Sequence, residues 1–273
     1  AKQMTELPTE LMIALGEHTL AQTLERAASF DEQVSAVREL LAEAYEKDEQ
    51  WTAAARMLAA IALDSRDDEY KISKSIQIAT LFLQDDDAVS AETFINRASL
   101  MLDPERTSPA LTLQHKVCYA RILDSKRKFL EAATRFYQLS HTVTRLGDGL
   151  KVSEEDLMGS LRMAATNAIL APAGPARSRL LGTLMKDERS QRLPHRAMLE
   201  KVYTGRLLRR DEVEAFAATL APHQKVTHED GFTVLDRAVT EHNMLALASL
   251  YKNISLEQLG ALLGIDKKLA EAV

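Results

Sequence analysis

Apolar residues recur three and four positions apart along most of the chain, the spacing of helices with one buried face. Leu11, Leu15, Leu20 and Leu24, with Ala27 and Ala28, mark a helix over 9–28. Val34, Val37, Leu40, Leu41 and Tyr45 mark a second, opened by Ser29 and Glu32 at capping-box spacing. A polar turn at Asp48–Gln50 leads into an apolar stretch from Trp51 to Leu63, and this helix–turn–helix then returns twice, over about 69–102 and 108–141. Ala42 and Tyr45 are matched 36 residues on by Ile78 and Leu81, and a further 42 on by Ala120 and Leu123. The partner helices carry Ala55, Ala91 and Ala133, then Leu58, Phe94 and Phe136, then Ala62, Ala98 and Ser140. A small residue three positions before a large apolar one lets stacked helices approach and then lock. Repeats of this length predict an all-α, right-handed α-solenoid of TPR-like helix pairs, each burying its apolar face on its neighbours.

The remainder continues the helical pattern and then departs from it. Leu146–Gly149 is the expected flexible loop, and Ser153 with Asp156 opens a helix ending near Leu170. Ala171–Pro175 is a break, because proline and glycine do not continue a helix. Two more helix pairs are expected, to about Leu220. Past Pro222 the reading is one long helix from Val234 to Tyr251, a short extended piece at Asn253–Ile254, and a helix over Leu256–Leu263 capped by Ser255 and Gln258. Gly264 ends that helix and Asp266 caps another. This order is the front half of a winged helix, without its two wing strands. The division expected is a helical-repeat arm over 1–221 and a truncated winged-helix subdomain over 222–273.

Composition sharpens this picture. Ten Gly and 7 Pro in 273 residues leave few irregular turns, and an aromatic share of 5% favours helices over sheets. A net charge of -6 argues against general affinity for nucleic acid, which needs a basic surface. Cys118 is the only cysteine, which points to a reducing compartment. The longest apolar stretch, Met57–Leu63, is too short to span a bilayer, and the first ten residues carry no secretory signal.

Candidate chemistry is sparse. The sequence has no histidine pair at metal-binding spacing, no Gly-rich phosphate loop and no nucleophile elbow, so no catalytic, cofactor or metal residues are assigned. His115 and Cys118 lie three apart but lack further ligands, and Asp85–Asp87 reads as a turn with an N-cap. Lys126, Arg127 and Lys128 form a basic turn suited to an acidic partner, and Arg206, Arg209 and Arg210 a second cluster. Lys267 and Lys268 share their predicted helix with Asp266 and Glu271, which argues against DNA reading. Ile254, Leu256 and Leu259 are the partner-binding candidates of the C-terminal subdomain.

Four long strings carry a resemblance: D-D-D-A-V-S-A-E-T-F-I-N-R-A-S-L (85–100), H-K-V-C-Y-A-R-I-L-D-S-K-R-K-F-L-E-A-A-T-R-F (115–136), R-S-R-L-L-G-T-L-M-K-D-E-R (177–189) and L-D-R-A-V-T-E-H-N-M-L-A-L-A-S-L-Y-K-N-I-S-L-E-Q-L-G-A-L-L-G-I (235–265). They resemble the PCI family, found in the proteasome lid, the COP9 signalosome and the translation initiation factor 3 complex, and within it the signalosome branch. The resemblance implies a non-catalytic scaffold and substrate-sensing role in a complex that removes NEDD8 from cullins of cullin–RING ubiquitin ligases. The protease that cuts the isopeptide bond is then another subunit. A scaffold of the proteasome lid or the initiation factor is the alternative. The implied partners are the other signalosome subunits and the cullin–RING substrate, with no cofactor, nucleic acid, membrane or obligate homo-oligomer, in cytoplasm and nucleus. The family pattern also implies more solenoid before Ala1 and a wing and C-terminal helix after Val273, so the chain reads as a fragment. Gly147–Gly149 is the mobile element expected if the arm has two arrangements.

Overall fold

The computed structural model describes residues 8–23, 30–63, 66–103, 105–142, 145–146, 150–227 and 231–263. The regular structure among these residues is helical, apart from two two-residue strand segments, Arg145–Leu146 and Leu150–Lys151, and an antiparallel bridge between Thr227 and Thr233. The chain divides into two compact units, 1–122 with 145–149, and 123–144 with 150–273. The capping role of Ser29, the glycine loop 147–149 and the helix carrying Lys267 and Lys268 lie outside the described residues.

In the first unit α1 (Thr9–Thr23), α2 (Asp31–Lys47), α3 (Trp51–Ala59), α4 (Asp68–Gln84) and α5 (Ala88–Met101) each pack on the helix next in sequence. That is how a helical repeat buries its apolar faces. Leu41, Leu58, Ile72, Ile78 and Ile95 are fully buried among them, and Trp51 packs partly against the same core. Gly16 lets α1 approach: a Cβ there would stand 2.5 Å from Leu41 Cδ2. At the edge of the same pair the Tyr45 hydroxyl donates to Glu17 Oε1. Burial and that carboxylate push the Tyr45 phenol up to about 12.

The turns inside successive pairs share one geometry. Glu49, Asp86 and Arg127 take left-handed backbone, with φ 57, 57 and 59°. The next residue then donates its N–H to the carbonyl five back, Gln50 to Tyr45, Asp87 to Phe82 and Lys128 to Leu123, each at 2.9 Å. This bond fixes the true correspondence between repeats. Tyr45 matches Phe82 rather than Leu81, so Ala42 corresponds to Ala79 and Ala120, and the offsets are 37 and 41 in place of 36 and 42. In the second helices the matched sets are Ala54, Ala91 and Ala132, Leu58, Ile95 and Phe136, and Ile61, Ala98 and Leu139, all buried. Ala62 is exposed beyond the end of α3.

α6 (Pro109–Ser125) runs from the first unit into the second. In the second unit α8 (Glu154–Leu170) is the central element, packed by α7 (Phe129–Ser140), α9 (Pro175–Lys186), α10 (Arg196–Thr204) and α12 (Val234–Leu250). Its start follows the sequence closely, since Ser153 Oγ accepts the Asp156 N–H at 3.1 Å. It stops at Ala171, and Pro175 opens α9 in the first helical position. The first of the two expected helix pairs is not completed. After α9 comes a 3-10 turn, Glu188–Arg192, where Asp187 accepts the Arg189 N–H and Pro194 bars a longer helix. α11 (Arg210–Thr219) and α13 (Leu256–Leu263) complete the set. Asn253–Ile254 is irregular and forms no strand.

The left-handed turns set an expected outcome. Asp86 is exposed, so its replacement changes mainly backbone preference. Asp86→Gly is expected to be neutral or stabilising by up to ~1 kcal/mol, whereas Asp86→Val, which disfavours positive φ, costs about 1–2 kcal/mol. Urea unfolding followed by circular dichroism measures both.

Candidate interaction surface

The basic turn sits between α6 and α7. Lys128 is exposed and Lys126 and Arg127 are half-buried. Beneath it lies Asp124, whose carboxylate is nearly inaccessible. Its two oxygens accept from Gln224 Nε2 at 2.9 and 3.1 Å, and His223 Nε2 stands 3.3 Å from Oδ2. Both partners belong to the 3-10 turn Pro222–Gln224. Gln224 is itself oriented, since its Oε1 accepts the Ala221 N–H. A buried carboxylate needs a donor, and the two bonds from Gln224 anchor the stem of the basic turn.

Polar side chains on α12 hold two connecting segments, the α8–α9 and α10–α11 links. Glu241 Oε2 accepts the Ala173 N–H, His242 Nε2 donates to the Arg206 carbonyl at 2.9 Å, and Asn243 bridges the N–H and carbonyl of Leu208. Arg177, buried on α9, donates to the carbonyls of Ala168 and Ile169 at 3.0 and 2.7 Å, closing the end of α8. Burial pushes its guanidinium down to about 10, with Glu241 opposing. Arg189 donates to the Ser140 carbonyl at 2.6 Å and to Asp187, joining the 3-10 turn to the end of α7. None of these residues was singled out by sequence. Their partners are up to 100 positions away and the strings around them have no distinguishing spacing.

The C-terminal candidates separate. Leu259 is buried on Leu247, with Ile254, Met244 and Leu263 packed around them, so Leu259 and Ile254 join α12 to α13. Leu256 is exposed, as are Leu245, Leu250 and Leu262 nearby in sequence. Arg206, Arg209 and Arg210 are exposed on the segment entering α11, and Arg210 pairs with Glu214 at 2.9 Å. His115 is not at a helix start but well inside α6, where its Nε2 contacts Ser99 Oγ at 2.8 Å. Cys118 is buried with Thr80 donating to its sulfur, and burial raises its thiol pKa. Asp87 caps α5, accepting the Ser90 N–H at 3.0 Å. Among the described residues no group of three or more His, Cys, Asp or Glu is placed to hold a metal ion. Among them, too, no helix is long and apolar enough to cross a membrane.

Helix pairs repeated in series define a helical-repeat protein. A family profile described as PSMD12/CSN4, N-terminal, matches residues 2–145. COP9 signalosome complex subunit 4 of Arabidopsis thaliana is 48% identical over 277 aligned residues, which take in 100% of this chain and 70% of the relative. The Drosophila melanogaster and Dictyostelium discoideum proteins of the same name are 44% and 45% identical, over 99% and 98% of this chain and 66% and 67% of their own lengths. The chain belongs to the COP9 signalosome subunit 4 family.

Two outcomes test the polar anchors. Gln224→Ala removes the Nε2 donor to both oxygens of the buried Asp124 carboxylate, and is expected to cost about 2–4 kcal/mol in urea unfolding. His242 gives a pH dependence. Burial holds its imidazole below the ordinary 6.5, with the Arg206 carbonyl opposing and Arg177 adding. Its folded value is therefore the lower one, and the unfolded chain takes up the proton first. The contribution is intact above about pH 6.5 and is lost as pH falls. Half-buried His195 acts in the same direction. The melting temperature is expected to drop between pH 7 and pH 5, and by less in His242→Gln.

Proposed function

We propose that this chain is a non-catalytic scaffold and substrate-sensing subunit of a COP9 signalosome, the complex that removes NEDD8 from cullins of cullin–RING ligases. The observation that carries the reading is identity of 42–48% to four proteins named as signalosome subunit 4, over 96–100% of this chain. Helix pairs in series are consistent with a mounting role, since their outer faces remain available to other chains. On this reading its partners are the other signalosome subunits and the cullin–RING substrate, and it resides in cytoplasm and nucleus. The arm over 1–221 positions substrate, and the segment over 222–273 is the front of a winged helix used for assembly. Lys126, Arg127 and Lys128 meet an acidic partner surface, and Leu256 belongs to the assembly contact.

The PSMD12/CSN4 profile also takes in the proteasome-lid relative, so a lid scaffold is the second reading. Affinity purification of the tagged protein from its own cells distinguishes the two. Signalosome subunits are expected to co-purify in stoichiometric amounts; recovery of lid subunits instead would overturn the proposal. The purified chain alone, given a neddylated cullin and zinc, is expected to release no NEDD8.

A further inference from the structure

Proline follows a serine or threonine once in the 273 residues, at Ser108–Pro109. The pair lies within the first unit, where α5 gives way to α6. A closed turn fixes the chain just ahead of it: the Thr107 N–H donates to the Asp103 carbonyl at 2.8 Å, and Thr107 Oγ1 accepts the Asp103 N–H at 3.0 Å. Thr107 is buried, whereas Glu105, Arg106 and Pro109 are exposed and Ser108 is half-buried. Proline keeps the residue before it out of helical backbone, and Ser108 is the last non-helical residue before α6. Its N–H donates to Glu69 Oε1, in the first turn of α4, at 3.0 Å. Its hydroxyl, unlike that of Thr107, has no hydrogen-bond partner among the described residues.

From these observations we infer that Ser108 is a phosphorylation site for a proline-directed serine kinase, and that the phosphate loosens the tie between α4 and the start of α6. Such a kinase seats the residue after the acceptor where a backbone N–H would go unsatisfied, and proline has none. In the transfer Ser108 Oγ attacks the γ-phosphorus of ATP, the bond from that phosphorus to the β–γ bridging oxygen breaks, and ADP leaves. The hydroxyl proton passes to the catalytic-loop aspartate of the kinase. An uncommitted hydroxyl gives up no internal bond when it is modified. The product carries about two negative charges, on the residue whose N–H holds the Glu69 carboxylate. Two anions then compete for the start of α6, where the helix dipole favours one. The inference goes beyond the scaffold reading. It assigns a covalent regulatory site in the first unit and holds whichever complex the chain joins.

The test uses the 273-residue chain, ATP and a purified cyclin-dependent kinase, with a peptide of residues 103–114 as reference substrate. Intact-mass and fragment-ion spectra are expected to show one phosphate per chain, on Ser108, at an initial rate within about tenfold of the peptide's. Ser108→Ala is expected to abolish labelling, and Pro109→Ala to slow it at least tenfold. The phosphorylated and unmodified chains are then melted alongside the same two forms of Glu69→Gln, which keeps the acceptor oxygen without the charge. Phosphate is expected to lower the melting temperature more in the parent than in Glu69→Gln. Absence of phosphate from the folded chain overturns the site, as does equal labelling of Ser108→Ala or phosphate found on another residue. Equal shifts in the two backgrounds overturn the loosening of the α4–α6 tie.

Discussion

One backbone hydrogen bond organises the helix pairs. At each inner turn a residue enters left-handed backbone, and the next N–H closes on a carbonyl five residues back, at Gln50–Tyr45, Asp87–Phe82 and Lys128–Leu123. This bond reverses the chain in three residues and leaves no freedom in where the second helix starts. Four residues past the closing amide an alanine is then buried in every case, Ala54, Ala91 and Ala132, and four further on a large apolar side chain, Leu58, Ile95 and Phe136. The close approach of paired helices follows from the small residue, and their rotational lock from the large one. That none of the left-handed residues is glycine means the turn is held by the surrounding packing against a local preference of about 1–2 kcal/mol.

Which features were legible in the sequence follows from the range of the interaction behind each. A helix start set by a neighbouring cap could be read directly, as at Ser153, because the donor, the Asp156 N–H, lies three residues on. The repeat itself was visible, but its register was displaced by one. Both Ile78 and Ala79 are buried, and both Ala132 and Ala133, so a broad apolar stripe admits two alignments and only the turn torsions choose between them. The two helix pairs expected before Leu220 were not both completed, because Pro194 and the Asp187 cap hold Glu188–Arg192 to a 3-10 turn. The basic turn was apparent as three adjacent cations, whereas its anchor was not, since Gln224 lies 100 positions from Asp124.

Where helix pairing weakens, buried polar groups take over. The segments around Ala173, Arg206 and Leu208 have no helix of their own to satisfy their backbone, and buried amides and carbonyls left unpaired are costly. Three consecutive residues of α12, Glu241, His242 and Asn243, supply the partners. Apolar burial tolerates small shifts, but a side-chain amide bridging both polar groups of Leu208 does not. The second unit is thereby fixed by a few directional contacts around α8 and α12, and the Asp124–Gln224 pair extends the same logic to the root of the basic turn.

The displaced ionisations point the same way as the packing. Tyr45 and Tyr70 are raised to about 12, each by burial first and then by a carboxylate that accepts its hydroxyl, Glu17 and Glu39. Arg177 is lowered to about 10 by burial while it closes the end of a helix. Each of these three groups has a structural partner: Glu17 and Glu39 accept from the tyrosines, and the carbonyls of Ala168 and Ile169 accept from Arg177. Perturbed ionisation marks catalysis only when such groups converge on space a substrate can enter. Beneath the basic turn, the buried carboxylate of Asp124 is satisfied in the same structural way, by Gln224, 100 positions away.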